Sequence, residues 1–218
     1  MTKPMELTYF PLMARGLGPA LVAECSGLPW TGPKDTGFTF AAWEDLKASG
    51  ASPFGQLPLL RDGDLAVGQT IAILNYVGRK AGTEGKDDAE FAVSQMLLAE
   101  GEDLFALLTK HQPTMYASLE KKPQADQTKL WGELVPGELG KLETLLWERK
   151  SFTSSGKTPG ELYVFAVVHQ IVLVKPGCLE AFPHFKAFYE GYLADASVQK
   201  VLKGESNFGP IEPYFVAC

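Results

Sequence analysis

The spacing of apolar residues changes character at Gly82-Thr83-Glu84-Gly85-Lys86. Before that point the apolar runs are short and broken by Gly and Pro. Met5 to Phe10 is rich in strand formers and stops at Pro11, which predicts a first strand; Pro19 to Cys25 predicts a short helix closed by Gly27 and Pro29. Phe38 to Phe40 predicts a second extended piece. Leu57 to Leu60 and Leu65 to Val67 flank Arg61-Asp62-Gly63-Asp64, an Asp-Gly signal that predicts an antiparallel hairpin. Ile71, Leu74, Val77 and Ala81 recur every three or four residues, so a helix follows, with Gly82 as its stop. The order β-α-β-α-β-β-α predicts a mixed sheet with helices packed on it.

After the break the apolar period is helical and sustained. Asp88 to Lys110 carries Phe91, Met96, Leu97, Leu104, Leu107 and Leu108 among acids, and Lys129 to Arg149 carries Leu130, Leu134, Leu139, Leu142, Leu145 and Leu146. Thr158-Pro159-Gly160-Glu161 has capping-box spacing with Pro at the first helical position, so a third long helix is predicted to run to about Val174. Shorter helical pieces fall at Phe185 to Leu193 and Val198 to Lys203. The chain therefore divides into a small α/β unit over residues 1–82 and an all-α unit over 87–218.

Composition sharpens this division. Residues 1–82 hold seven of the 20 basic and seven of the 26 acidic residues, leaving 13 against 19 beyond, so the net charge of -6 belongs to the second unit. A pI near 5.2 argues against nucleic acid or an anionic membrane as partner. The longest apolar runs, such as Ile171 to Val174, are too short to span a bilayer, and Met1 to Glu6 lacks a signal pattern, so the chain reads as cytoplasmic. Cys25, Cys178 and Cys218 form no CxxC, and the His residues are scattered, which predicts neither a disulfide scaffold nor a metal site.

Three places carry candidate chemistry. The loop after the first strand reads Tyr9-Phe10-Pro11-Leu12-Met13-Ala14-Arg15-Gly16; it has no cysteine where a thioredoxin-like sheet would place a dithiol, which excludes dithiol exchange. Tyr9 offers instead a phenol that stays protonated at neutral pH and can donate to an anion, or it is a sheet aromatic with its hydroxyl satisfied locally. In Phe54-Gly55-Gln56-Leu57-Pro58-Leu59, Pro58 either opens a strand as an ordinary trans proline or takes a cis bond that turns the Leu57 backbone towards a peptide-like ligand. Gly68-Gln69-Thr70 opens a helix whose N-terminus is either a carboxylate site or a simple cap.

Taken in order, Leu7-Thr8-Tyr9-Phe10 with Arg15, Phe54-Gly55-Gln56-Leu57-Pro58, Asp62-Gly63-Asp64-Leu65, Gln69-Thr70-Ile71-Ala72-Ile73-Leu74 and Pro176-Gly177-Cys178-Leu179-Glu180-Ala181-Phe182-Pro183 resemble the cytosolic glutathione transferases. The likeness is to the pi class, with sigma-like touches at Trp43 and Lys47. It implies the glutathione transferase fold, with glutathione as co-substrate and no tightly bound cofactor. It also implies a homodimer, with Phe54 as the aromatic key inserted into the partner.

The resemblance further implies a glutathione site in which Tyr9 donates to the sulfur. Arg15, Trp43 and Lys47 would hold the glycine end, while Gln56 and the backbone of Leu57 before Pro58 would pair with the cysteinyl part. Gln69 and Thr70 would take the γ-glutamyl carboxylate, with Asp103 reaching its amino group from the other subunit. The electrophile pocket is expected to be lined by Phe10, Met13, Met115 and Phe208, and Pro113 stands where the pi class has a second aromatic hydroxyl. The polar Ser151 to Lys157 segment replaces an apolar stretch of the family. The chemistry expected is conjugation of reduced glutathione to small hydrophobic electrophiles in detoxification. The alternatives are glutathione-dependent isomerisation of the prostaglandin D synthase kind, and a non-catalytic binding or structural protein on the same scaffold.

Overall fold

The computed structural model describes residues 3–115 and 124–216. Strand β1 (Met5–Thr8) leads into α1 (Leu17–Cys25), β2 (Trp30–Thr31), a single turn α2 (Pro33–Thr36), a 3₁₀ turn at Phe40–Ala42 and α3 (Trp43–Ala48). Strands β3 (Leu59–Asp62) and β4 (Leu65–Gly68) form the expected hairpin around Gly63, whose φ of 61° supplies the turn, and α4 (Thr70–Ala81) ends on Gly82 at φ 68°. The sheet order is β2-β1-β3-β4. Strand β1 pairs parallel with β2 and antiparallel with β3, placing Leu7 opposite Leu60 and Thr8 opposite Leu59. This is the mixed α/β unit that the pattern predicts.

Two details differ from that pattern. The second strand is Trp30–Thr31, which turn-forming Pro29, Gly32 and Pro33 had hidden, and Phe38 to Phe40 forms no strand. The reason is aromatic packing: Phe40 stacks on Phe10 with centroids 4.5 Å apart, and Phe38 packs on it at 6.0 Å, so these rings cover the loop after β1 instead of extending the sheet. Strand β1 also ends at Thr8, one residue before Tyr9, and β3 begins at Leu59, after Pro58.

From Asp88 onward the described chain is helical: α5 (Asp88–His111), α6 (Gln124–Lys129), a π-helical turn at Leu130–Leu134, α7 (Val135–Arg149), α8 (Pro159–Val174), α9 (Pro183–Leu193) and α10 (Ala196–Leu202). Helix α8 is apolar almost all round and runs through the centre of the molecule, where each fully buried Val, Leu or Phe contributes about 1.5 to 3 kcal/mol. It starts on the predicted capping box. The Glu161 carboxylate accepts from the Thr158 N–H at 3.1 Å, and Thr158 Oγ1 accepts from the Glu161 N–H.

Two carboxylates tie down the polar segment at 151–157. Glu161 accepts from the Thr153 hydroxyl at 2.9 Å, and Glu90 accepts from the Ser154 N–H at 2.7 Å as well as from the hydroxyls of Ser154 and Ser155. Hydrogen bonds to the charged form hold the Glu90 carboxyl far below the usual carboxylate range, Ser154 first among them.

Candidate functional site

The end of β1 delivers Tyr9 into a cleft between the sheet unit and α5. Its ring packs so closely on the start of α1 that a Cβ at Gly16 would stand 2.3 Å from Cδ1, so only glycine fits there. The phenol is 7% exposed, and its oxygen accepts from the Arg15 N–H at 3.2 Å. An oxygen engaged in that way directs its own proton elsewhere. Tyr9 lines two cavities, and its hydroxyl also has a local partner in the Arg15 N–H.

The first cavity, about 650 Å³, is the more polar. One wall is Tyr9, Phe10, Arg15 and Trp43; the opposite wall is Gln56, Leu57 and Pro58 with Gln69 and Thr70. The Leu57–Pro58 bond is cis. Gln69 takes φ 70°, a left-handed value costly for a residue with a side chain, and its amide donates to Gln56 Oε1 at 3.3 Å. Thr70 opens α4, buried, and its Oγ1 has no hydrogen-bond partner. A buried hydroxyl left unpaired costs about 1 to 3 kcal/mol, and Thr70 stands in the wall of this cavity. The N–H groups and positive dipole end of α4 favour an anion at the same place.

Glu102, which the sequence reading passed over, is the other charged member of this wall. Both of its oxygens accept from Arg15 Nη1, at 2.6 and 2.9 Å, and the guanidinium carbon lies 4.5 Å over the Phe105 ring. Burial works against the Arg15 charge, but the hydrogen bond and field of Glu102 more than offset it, and the net shift of Arg15 is upward. Helical period was the available signal: Glu102 shares the face of Leu98 and Phe105, whereas Asp103 faces outward. Asp103 and Lys47 are exposed and do not line this cavity within the chain.

The second cavity, about 450 Å³, is apolar. It shares Tyr9, Phe10 and Arg15 with the first and adds Phe40, Phe105 and Tyr214 among its walls. Of the four residues expected here, the structure brings only Phe10. Met13 faces away from Leu12 and Ala14 into the packing against Gln170 and Phe215, and Phe208 is fully buried in the core. Met115 is 50% exposed; its N–H is held by the Tyr214 carbonyl at 3.0 Å, a pairing that carries the C-terminal segment, and not Met115, to the cavity. Pro113 belongs to the same pairing through its carbonyl to the Val216 N–H, and neither cavity includes it.

A third cavity, about 550 Å³, lies in the helical part between the end of α7 and α9. Around it Lys157 pairs with Asp195, His184 with Glu143, Glu161 with its threonine donors, and Lys150 Nζ lies 4.7 Å over the Trp147 ring. Among the described residues no cluster of His, Cys, Asp and Glu could hold a metal ion, and no helix is long and apolar enough to cross a membrane. Burial pushes the Cys25 thiol up to about 12 and the Cys178 thiol up to about 11, and neither lines a Tyr9 cavity; Cys218 lies outside the described residues.

A mixed four-stranded sheet followed by a helical bundle is the architecture of the glutathione transferase fold, with a thioredoxin-like first unit. Two solved structures share it: prostaglandin synthase D of Nilaparvata lugens, with TM-score 0.77 and 19% identity, covering 92% of this chain and 98% of that one, and a sigma-class glutathione transferase of Fasciola hepatica, with TM-score 0.75 and 21% identity, covering 93% and 97%. In sequence the chain is 31% identical over 195 residues to human glutathione S-transferase P, which is 85% of each chain. No family model matches the sequence. The chain belongs to the glutathione S-transferase family.

Proposed function

We propose that the protein conjugates reduced glutathione to small hydrophobic electrophiles, with glutathione in the polar cavity and the electrophile in the apolar one. The observation that carries this reading is that a polar and an apolar cavity share Tyr9, Phe10 and Arg15 in their walls. A free thiol has a pKa of about 8.5, so little of it is thiolate at neutral pH. Lowering it by two units requires roughly 2.7 kcal/mol, the scale of one or two hydrogen bonds aimed at the anion. Tyr9 supplies one, and Arg15 adds a positive field. Thr70 and Gln69 at the start of α4 receive the γ-glutamyl carboxylate, Gln56 and the Leu57 backbone before Pro58 pair with the cysteinyl part, and Trp43 walls the glycine end, with Lys47 at a distance from it.

The 66% exposure of Phe54, a large apolar residue on a loop, supports a homodimer in which that ring is buried by the partner and Asp103 of each subunit completes the other's site. Cytoplasmic detoxification is the setting this chemistry fits. Retention on immobilised glutathione followed by conjugation of an aryl halide tests the reading. Retention without turnover would leave a binding protein, and no retention would refute the glutathione site.

A further inference from the structure

Tyr163, in the middle of α8, is buried and takes no part in the mechanism above. Its ring fills a gap between two other helices. A Cβ at Gly18 of α1 would stand 2.7 Å from Tyr163 Cδ2, and a Cβ at Gly101 of α5 would stand 2.6 Å from Cδ1, so both neighbours are held to glycine by this one side chain. From that sandwich the hydroxyl emerges beside the polar cavity and donates to Glu102 Oε1. The same carboxylate grips Arg15 Nη1, and the Arg15 N–H donates to Tyr9. One heptad further along the same face of α8, the Gln170 amide donates to the Ala14 carbonyl at 3.1 Å. The loop that carries Arg15 is therefore held from α8 directly through Gln170 and indirectly through Tyr163 and Glu102.

We infer that Tyr163 is a positioning residue for thiolate formation: its hydroxyl fixes the Glu102 carboxylate, and so sets how much of the Arg15 charge is neutralised and how much reaches the sulfur beside Tyr9. This rests on the assignment of Tyr9 to the glutathione thiol. A hydroxyl donating to Glu102 draws part of the carboxylate's charge away from Arg15 and stops the pair from swinging as a unit. Without it, Glu102 neutralises Arg15 more fully, and the positive field at the sulfur weakens. The groups facing the Tyr163 hydroxyl are Glu102 from α5 and Arg15 and Tyr9 from the loop after β1. Burial, and then Glu102, raises the Tyr163 phenol far above its usual value, so it remains a donor over the whole working pH range.

Tyr163→Phe tests this, because it keeps the ring between the two glycines and removes only the hydroxyl. The readouts are the ultraviolet thiolate absorbance of bound glutathione titrated with pH, and the pH profile of kcat/KM for aryl halide conjugation. The apparent thiol pKa should rise by about half to one unit, so that conjugation on the acid side of the profile falls about 3- to 10-fold. The difference should vanish at high pH. Glu102→Gln removes the other half of the contact, and combining it with Tyr163→Phe should add less than the two separate losses, as for residues acting through one another. A merely structural tyrosine would lower Tm and leave the profile in place. Profiles that superimpose would overturn the inference while leaving the Tyr9 reading intact, whereas a wild-type protein that binds glutathione without ionising it would overturn both.

Discussion

Replacing Tyr9 by Phe removes one oxygen from a site that is otherwise unchanged, because the ring that packs on Gly16 and lines both cavities remains. The loss has two parts. The Arg15 N–H, 3.2 Å from that oxygen, loses its acceptor, which costs the fold about 1 kcal/mol. The thiolate loses a hydrogen bond to an anion, worth about 1.5 to 3 kcal/mol, which corresponds to a rise of about one to two units in its pKa. Glutathione affinity changes little, since Thr70, Gln69 and Gln56 contact other parts of the peptide in the proposed pose. The rate therefore falls through the ionised fraction. If the wild-type thiol titrates near pH 6.5, its conjugation at that pH is reduced about 5- to 50-fold in the variant, and the two converge above about pH 9. The assay is kcat/KM with an aryl halide across pH, alongside calorimetric glutathione binding. A variant whose acid-side rate stays within about twofold of wild type would refute thiolate stabilisation by Tyr9.

Three further outcomes follow from groups placed elsewhere. Thr70→Val removes a buried hydroxyl that has no partner; the ligand-free protein should gain about 1 kcal/mol in denaturant unfolding while glutathione affinity falls about 5- to 10-fold. Glu161→Ala leaves the buried donors of Thr153 and Thr158 unpaired and removes the α8 cap, so stability should drop by about 2 to 4 kcal/mol, or about 5 to 12 °C in Tm. Glu100 is pushed from 4.5 up to about 7, first by burial and then by the Glu138 carboxylate. A raised folded-state pKa gives stability that is full below about pH 4.5 and lost as pH rises through 7, so Glu100→Gln should match wild type in Tm near pH 4 and exceed it near pH 8.

What the sequence made legible was whatever chemistry is local. The Asp62-Gly63 turn, the Thr158–Glu161 box and the Gly82 stop each depend on residues within four positions of one another, and each stands where the pattern put it. The residues of the polar cavity came together through the family resemblance, since Tyr9, Gln56, Leu57, Pro58, Gln69 and Thr70 lie at element ends whose short motifs carry that likeness but leave each role open taken alone. The apolar cavity was not legible. Phe105 comes to it from α5, Phe40 from a 3₁₀ turn and Tyr214 from the far end of the chain, and no local spacing announces such a meeting. Glu102 was hidden by its neighbour, because two adjacent acids on a helix look alike until the buried face is fixed.

The placement of backbone strain explains why a thioredoxin-like sheet needs the helices to make this site. Ala14 at φ 25° and Gln69 at φ 70° are non-glycine residues in conformations that cost about 1 to 3 kcal/mol each, and each lines one of the two cavities that share Tyr9. Strain persists only where surrounding contacts over-determine it. At Ala14 those contacts come from α8, through Gln170 on its carbonyl, and from α5, through Glu102 on the adjacent Arg15. The sheet alone offers the loop after β1 a start at Thr8 and nothing further, since Tyr9 has already left the ladder. The helices thus do more than wall the apolar cavity: they hold the loop that carries Tyr9 and Arg15, which line both cavities. A substitution on α8, remote from any substrate, can on this account change the chemistry without touching a reactant.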